Sequence, residues 1–246
     1  MKIALVGATG FVGSKILAEA ISRGHTVTAI CRHPENVAPH ERVRAVKADV
    51  HDTAALTREF RGHDVVIHSY TPPADPEARA FLWAVQQSGG GIEEIAKYTP
   101  RDPVTHEAHV QGRIQKQTAG TRSIIAAAKA AGVKRILAIG GAGTLLVGGV
   151  RMIDLPTFPK AYEGGAKSTA VIKDILREET GIEWTVLCPS TMIMPGARTG
   201  KFRLGLDDLL VAPDGSSSIS LEDFALAVID ELENPRHTGR RFTVGY

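Results

Sequence analysis

The chain has 246 residues, 43% of them hydrophobic, 23% charged and 5% aromatic, and 29 basic residues against 27 acidic leave a formal charge of +2. That balance fits a globular domain with a sizeable core and excludes collagenous, disordered and disulfide-stapled chains; no run of like charges marks a nucleic-acid footprint. Glycine-rich sequence begins at Gly7, too early for a signal-peptide core, and no apolar window of ~18 residues would span a bilayer, so a cytoplasmic protein without membrane contact is expected.

Along the chain, short β-rich runs at residues 3–6, 27–31, 43–46, 65–68, 136–139, 184–187 and 242–244 alternate with helical patterns. Such alternation predicts a parallel, doubly wound sheet. Between the first two runs Phe11, Val12, Ile16, Leu17, Ala20 and Ile21 recur at helical spacing, and Gly24 follows as the stop. The next helix has Asp52 as N-cap, Leu56 and Phe60 as its apolar pair, and Gly62 as terminator. After the fourth run the pattern breaks: residues 70–106 are rich in Pro and Gly around one amphipathic piece holding Phe81, Leu82 and Trp83. Long structured loops in compact domains usually serve function, so this stretch reads as a lid. A long helix is expected over about residues 105–131, a further one around 167–179, and a last one over 221–233, stopped by Pro235. Cys31 and Cys188 lie in apolar runs without partners at metal spacing and read as small core residues.

Gly7, Gly10 and Gly13 in VGATGFVG follow a strand and open a helix. There, missing Cβ atoms let backbone approach a pyrophosphate while the helix N-terminus offers free N–H donors. At the end of the second strand a carboxylate would hold an adenosine ribose diol, but the chain has Arg32, whose guanidinium suits a 2′-phosphate. The expectation is NADP(H) in preference to NAD(H). Asp49 and Val50 fall on the same carboxyl edge, as do His68, Ser69 and Tyr70 after the fourth strand and Gly140, Gly141 and Thr144 after the fifth. His68 reads as a hydrogen-bonded wall residue rather than an acid.

GATGFVG, CRHPENV, KADVHD, AGVKRILAIGGAGTLLV and PGARTGKFRLGLDDLLV together resemble the atypical short-chain dehydrogenase/reductases, and within them the NADH-flavin-reductase-like, NAD(P)H-binding (NmrA-like) group. The resemblance covers most of the chain outside residues 70–117. It implies a single Rossmann-type α/β domain over residues 1–246, with a lid-like insertion at 70–117 and a small C-terminal substrate-side lobe at 188–220. It further implies that Gly7, Thr9, Gly10, Phe11 and Val12 line the phosphates, Arg32 meets the adenosine ribose, Asp49 and Val50 flank adenine, and Pro189, Ser190, Thr191 and Met192 close over nicotinamide. Ser69, Tyr70, Gly140 and Gly141 complete the expected cofactor set. Many relatives pair tyrosine and lysine in Tyr-x-x-x-Lys so that lysine lowers the phenol pKa. Here Tyr162 and Lys167 stand one residue too far apart, which weakens Tyr162 as proton donor and leaves Lys167 for the nicotinamide ribose. Tyr162, Lys167 and Thr144 are the candidate catalytic residues.

The expected activity is hydride transfer from NADPH to a small acceptor, a flavin, quinone or carbonyl compound, by a monomer or homodimer. Alternatives are a non-catalytic NADP(H)-sensing regulator on the same fold and a sugar-nucleotide epimerase or dehydratase. The latter is disfavoured by the missing Tyr-x-x-x-Lys.

Overall fold

A computed structural model describes residues 1–88 and 91–246. In chain order it contains β1 (Lys2–Val6), α1 (Gly13–Ser22), β2 (Thr26–Cys31), β3 (Val43–Lys47), α2 (Thr53–Phe60), β4 (Val65–His68), α3 (Pro76–Gln87), α4 (Ile92–Ala96) and α5 (Pro103–Ala130). Then come β5 (Arg135–Ile139), a hairpin of β6 (Leu146–Val147) and β7 (Val150–Arg151), α6 (Lys160–Glu178), β8 (Glu183–Pro189), β9 (Met192–Met194), β10 (Arg203–Gly205), β11 (Ser218–Ser220), α7 (Leu221–Glu233) and β12 (Arg240–Gly245). The central sheet has eight strands in the order β10-β12-β8-β5-β4-β1-β2-β3, all parallel except the edge strand β10. The expected Rossmann-type α/β fold is therefore borne out. Winding reverses between β1 and β4, and open α/β sheets bind their ligands at the carboxyl end of such a switch point.

Strand periodicity builds two cores from one strand sequence. Ile3 and Leu5 point to the layer with Phe224 and Val228 of α7, whereas Ala4 and Val6 point to the layer with Ile124 and Ile125 of α5 and Ile172 and Leu176 of α6. At ~1.5 Å per residue, the 28 residues of α5 far outreach a five-residue strand. Its C-terminal half covers the sheet and leads straight into β5. Its N-terminal half, like the start of α6, therefore stands beyond the carboxyl edge. A third apolar cluster joins Ala78 and Val85 of α3 to Ile95, Tyr98 and Ala161, with the Phe81 and Tyr98 rings 5.0 Å apart. Residues 70–117 thus hold α3, α4 and the first half of α5, pinned to the base of α6. Phe81 and Leu82 pack on this cluster and Trp83 is exposed.

Two departures from the sequence reading have clear causes. Helix α6 begins at Lys160, seven residues before its expected start, because Pro159 sets an extended N-cap and Gly164 and Gly165 lie against Val110 and Arg113 of α5. Packing overrides glycine's low helix propensity there. The three-residue strands β9, β10 and β11 were below the length at which alternation can be read. Within 188–220, β9 pairs with β11 in a separate parallel pair, and Arg198 holds Glu19 of α1 with two 2.8 Å hydrogen bonds. Cys31 and Cys188 are buried free thiols, as expected.

The turn between β1 and α1 is set by backbone crowding. Gly7 has φ +88°, and a Cβ on it would lie 2.5 Å from the Ser69 carbonyl oxygen; a Cβ on Gly13 would collide with the Gly7 carbonyl. Gly112, by contrast, faces open space inside α5. Gly13→Ala should destabilise the fold by about 2–3 kcal/mol, whereas Gly112→Ala should stabilise it by about 0.5–1 kcal/mol through helix propensity; urea unfolding of the two variants checks the opposite signs.

Candidate active site

At the end of β1 the backbone turns under its own hydrogen bonds, Gly7 N–H donating to Ile30 O at 2.9 Å and Gly10 N–H to Gly7 O at 3.0 Å. Thr9, Gly10 and Phe11 are exposed. Among the described residues the N–H groups of Thr9, Phe11 and Val12 have no acceptor, and they lead into the N-terminus of α1, whose dipole favours an anion. This row of free donors, floored by a glycine without a side chain, fits a pyrophosphate. Gly10 supplies the open surface. Gly7 and Gly13 serve the packing of the turn itself.

Beside this cradle the ends of β2, β3 and β4 converge. Arg32 is exposed and makes no ion pair or hydrogen bond among the described residues, so its guanidinium is free for an anion at the ribose end. The Asp49 carboxylate accepts the His51 N–H at 2.9 Å and shapes the turn into α2, while Val50 is buried. Tyr70 is half-buried; burial and Asp49 push its pKa up, and Arg32 and Arg113 pull the other way. His68 is fully buried, and burial lowers its pKa to about 4. Its Nδ1 accepts the Tyr70 N–H at 3.3 Å, so the neutral ring carries its proton on Nε2, 2.9 Å from Thr121 Oγ1. Gln117 Nε2 donates to Thr121 Oγ1 and to the Tyr70 carbonyl, both at 3.2 Å. His68 is thus a hydrogen-bonded wall residue that fixes the backbone of Ser69 and Tyr70.

The ends of β5 and β8 are close-packed. A Cβ on Gly140 would meet Cys188 Sγ at 2.5 Å, and one on Gly141 would strike Thr169, so both glycines admit α6 and β8 to the sheet edge. Thr144 is buried, and its hydroxyl donates to the Gly141 carbonyl at 3.0 Å. Ser190 and Thr191 spend their hydroxyls on the Val244 and Ser217 carbonyls at 2.9 and 2.8 Å. Pro189 is partly buried and Met192 exposed beside them.

The structure does not pair Tyr162 with Lys167. Both lie on helix α6, and five residues at ~100° each place them about 140° apart around its axis. Lys167 binds Glu163 at 2.6 Å, and Glu163 also takes Lys160 at 3.3 Å. Burial alone raises the Tyr162 pKa, the reverse of activation by a lysine. Tyr162 lines a cavity of about 240 Å³ between the projecting ends of α5 and α6, roofed by α3; Asp75, His106, His109, Arg113 and Gly165 share its wall. Burial by itself would raise the Asp75 pKa, but the Glu77 and Ala78 N–H groups and both histidines hold it below the usual value. Arg113 lies one helical turn before Gln117, whose amide bonds the Tyr70 carbonyl, so α5 links this cavity to the crevice. Another cavity, about 300 Å³, lies on the α7 face against Phe202, Asp230 and Phe242, and no crevice residue lines it.

Sequence reading missed the α5 contribution. His106, Val110, Arg113, Gln117 and Thr121 recur at three- and four-residue spacing, and all but Arg113 are buried. A polar stripe on the inward face of a long helix was the available signal.

The sheet, the turn and the crevice define a dinucleotide-binding protein of Rossmann type. The sequence profile of the NAD(P)H-binding family matches residues 7–235, and the chain belongs to that family. It therefore takes a nicotinamide cofactor. YwnB of Bacillus subtilis is 34% identical over 248 residues, covering 99% of this chain and 98% of YwnB. A crystal structure from Bacteroides thetaiotaomicron, of a protein provisionally named an epimerase, is 36% identical with TM-score 0.79, covering 100% of this chain and 96% of that one. One from Streptococcus pneumoniae, provisionally named an NADH-flavin reductase, is 26% identical with TM-score 0.68, covering 100% and 99%. The expected resemblance to NAD(P)H-binding relatives is borne out. No helix among the described residues is long and apolar enough to cross a membrane.

Gly10→Val should leave a folded chain, because only the Gly7 carbonyl comes near its Cβ, yet abolish NADPH binding by occupying the pyrophosphate surface; calorimetry and circular dichroism separate the two effects. His68 adds a pH prediction. The unfolded chain protonates this ring near pH 6.5 and the folded chain only near pH 4, so in that window the unfolded state binds more protons. Stability contributed by neutral His68 is present above pH 6.5 and is lost as pH falls toward 4, by about 3 kcal/mol in all. His68→Gln should flatten the fall in melting temperature over that window.

Proposed function

We propose that the chain is an NADPH-dependent reductase that passes hydride to a small acceptor, a carbonyl compound, a quinone or the ring of a flavin, held under α3. The observation that carries this reading is the link along α5 between crevice and roofed cavity: Gln117 bonds the Tyr70 carbonyl, and Arg113, one helical turn before it, lines the cavity. When bound, NADPH supplies the hydride. The N–H groups of Thr9, Phe11 and Val12 hold its pyrophosphate and Arg32 its 2′-phosphate; His68, Thr121 and Gln117 fix the Tyr70 backbone that forms the crevice wall. Tyr162 keeps its proton at neutral pH and can donate a hydrogen bond to an acceptor oxygen. α3 excludes water. At about 240 Å³ the cavity falls below the ~300–1,000 Å³ of drug-sized sites, which favours a small acceptor over a whole flavin nucleotide. The name of the streptococcal relative supports reduction. The epimerase reading has the Bacteroides name in its favour but lacks an activated tyrosine here.

Arg32→Ala should weaken NADPH binding by about 10- to 100-fold, the worth of one charge-assisted phosphate contact, while NADH affinity stays unchanged. Titration calorimetry with both cofactors checks it; equal affinities in the parent chain would defeat the NADPH preference.

A further inference from the structure

The cavity under α3 contains a cation that no carboxylate pairs with directly among the described residues. Arg113 rises from the inward stripe of α5, its Nε is buried without a hydrogen-bond partner, and it makes no ion pair among the described residues. Its neighbours cannot serve. Asp75 is occupied by the Glu77 N–H at 2.8 Å, His106 at 3.3 Å and His109 at 3.4 Å. Glu163 is taken by Lys160 and Lys167. Arg79, the other cation of the wall, sits exposed at the rim.

Helix α6 makes room for this guanidinium. A Cβ on Gly164 would lie 3.6 Å from Arg113 Cδ, and one on Gly165 3.8 and 3.9 Å from its terminal nitrogens. Consecutive glycines are poor helix formers in a helix interior; here they leave a bare face along which the planar group lies. A desolvated guanidinium without a hydrogen-bonded carboxylate is unfavourable, and its flat fork matches a carboxylate in two parallel hydrogen bonds. With Arg79 at the rim and Asp75 close by, the surplus of positive charge is small, which suits a monoanion better than a phosphate dianion.

Building on the reductase reading above, we propose that Arg113 anchors the carboxylate of a small carbonyl compound in this cavity, its carbonyl turned toward the crevice at Tyr70. The carbonyl carbon then gains the hydride, the C=O π pair stays with oxygen, and a proton from water completes the alcohol as NADPH becomes NADP+.

Benzoate and benzamide serve as matched probes, titrated calorimetrically into the full chain with and without saturating NADP+. Benzoate should bind, Arg113→Gln should weaken it about 10- to 100-fold, Arg113→Lys should recover part of the loss, and benzamide should be indifferent to all three. Gly165→Leu, which fills the space beside the guanidinium, should also abolish benzoate binding. NADPH affinity should stay within about twofold in each variant. Equal benzoate affinity in the parent chain and Arg113→Gln overturns the proposal, and so does a loss of NADPH affinity in Arg113→Gln, which would put the residue in the cofactor site. Turnover separates the two readings: benzoate binding through Arg113 without reduction of 4-carboxybenzaldehyde or benzaldehyde keeps the anchor and sinks the reductase. Equal reduction of both aldehydes without benzoate binding does the opposite.

Discussion

Backbone lies against backbone where β1 ends. The Gly7 Cα sits so close to the Ser69 carbonyl, and Gly13 so close to Gly7, that no side chain fits at either place. That crowding fixes the β1–α1 turn to the end of β4, which brings the free N–H groups of Thr9, Phe11 and Val12 to the same edge as Tyr70. Everything proposed for the crevice depends on this contact. The fully buried His68 and its bonds to Thr121 and the Tyr70 backbone hold the other side of it. A polar network of this kind is stabilising only while its members remain paired, and a neutral ring is what the pairing requires.

The second element of the site comes from helix length. Because α5 and α6 outrun the strands they cover, their N-terminal ends meet beyond the sheet, and α3 closes the space between them. The inward stripe of α5 changes character along its length. Ile124 and Ile125 pack on the sheet, Thr121 and Gln117 brace the crevice wall, and Arg113 and His106 line the cavity. One helix therefore spans stability, positioning and recognition. Folding alone favours none of the buried polar atoms along it that lack partners, such as Gln117 Oε1 and Arg113 Nε.

Much of this architecture is legible in the sequence alone. Strands of the sheet could be read because each is a short apolar run bounded by turn residues, and the glycine turn because its spacing follows a strand. Asp52 was recognisable as a cap, and its carboxylate does accept the Ala55 N–H at 2.9 Å. What could not be read depended on contacts distant in sequence. The start of α6 was hidden by Gly164 and Gly165, whose helical state is set by α5 across the cavity. Glycines 140 and 141 give no sequence sign of their packing role, which Cys188 and Thr169 set by filling the space where a Cβ would lie. The Tyr162–Lys167 spacing did carry its information: an extra residue in a continuous helix turns the two side chains apart. Arg113 escaped notice because a single arginine among the polar residues of a long helix carries no local signal of burial.

Reduction as proposed requires crevice and cavity to form one reaction site. Its most direct test follows the hydrogen itself: NADPH carrying deuterium at both C4 positions of the nicotinamide is mixed with the protein and a set of small carboxylated aldehydes and ketones, and the products are analysed by mass spectrometry. The expected product is an alcohol with one deuterium on the former carbonyl carbon, formed faster than in protein-free controls. Tight NADPH binding with the deuterium left on the nicotinamide for every member of the set would contradict the proposed reduction.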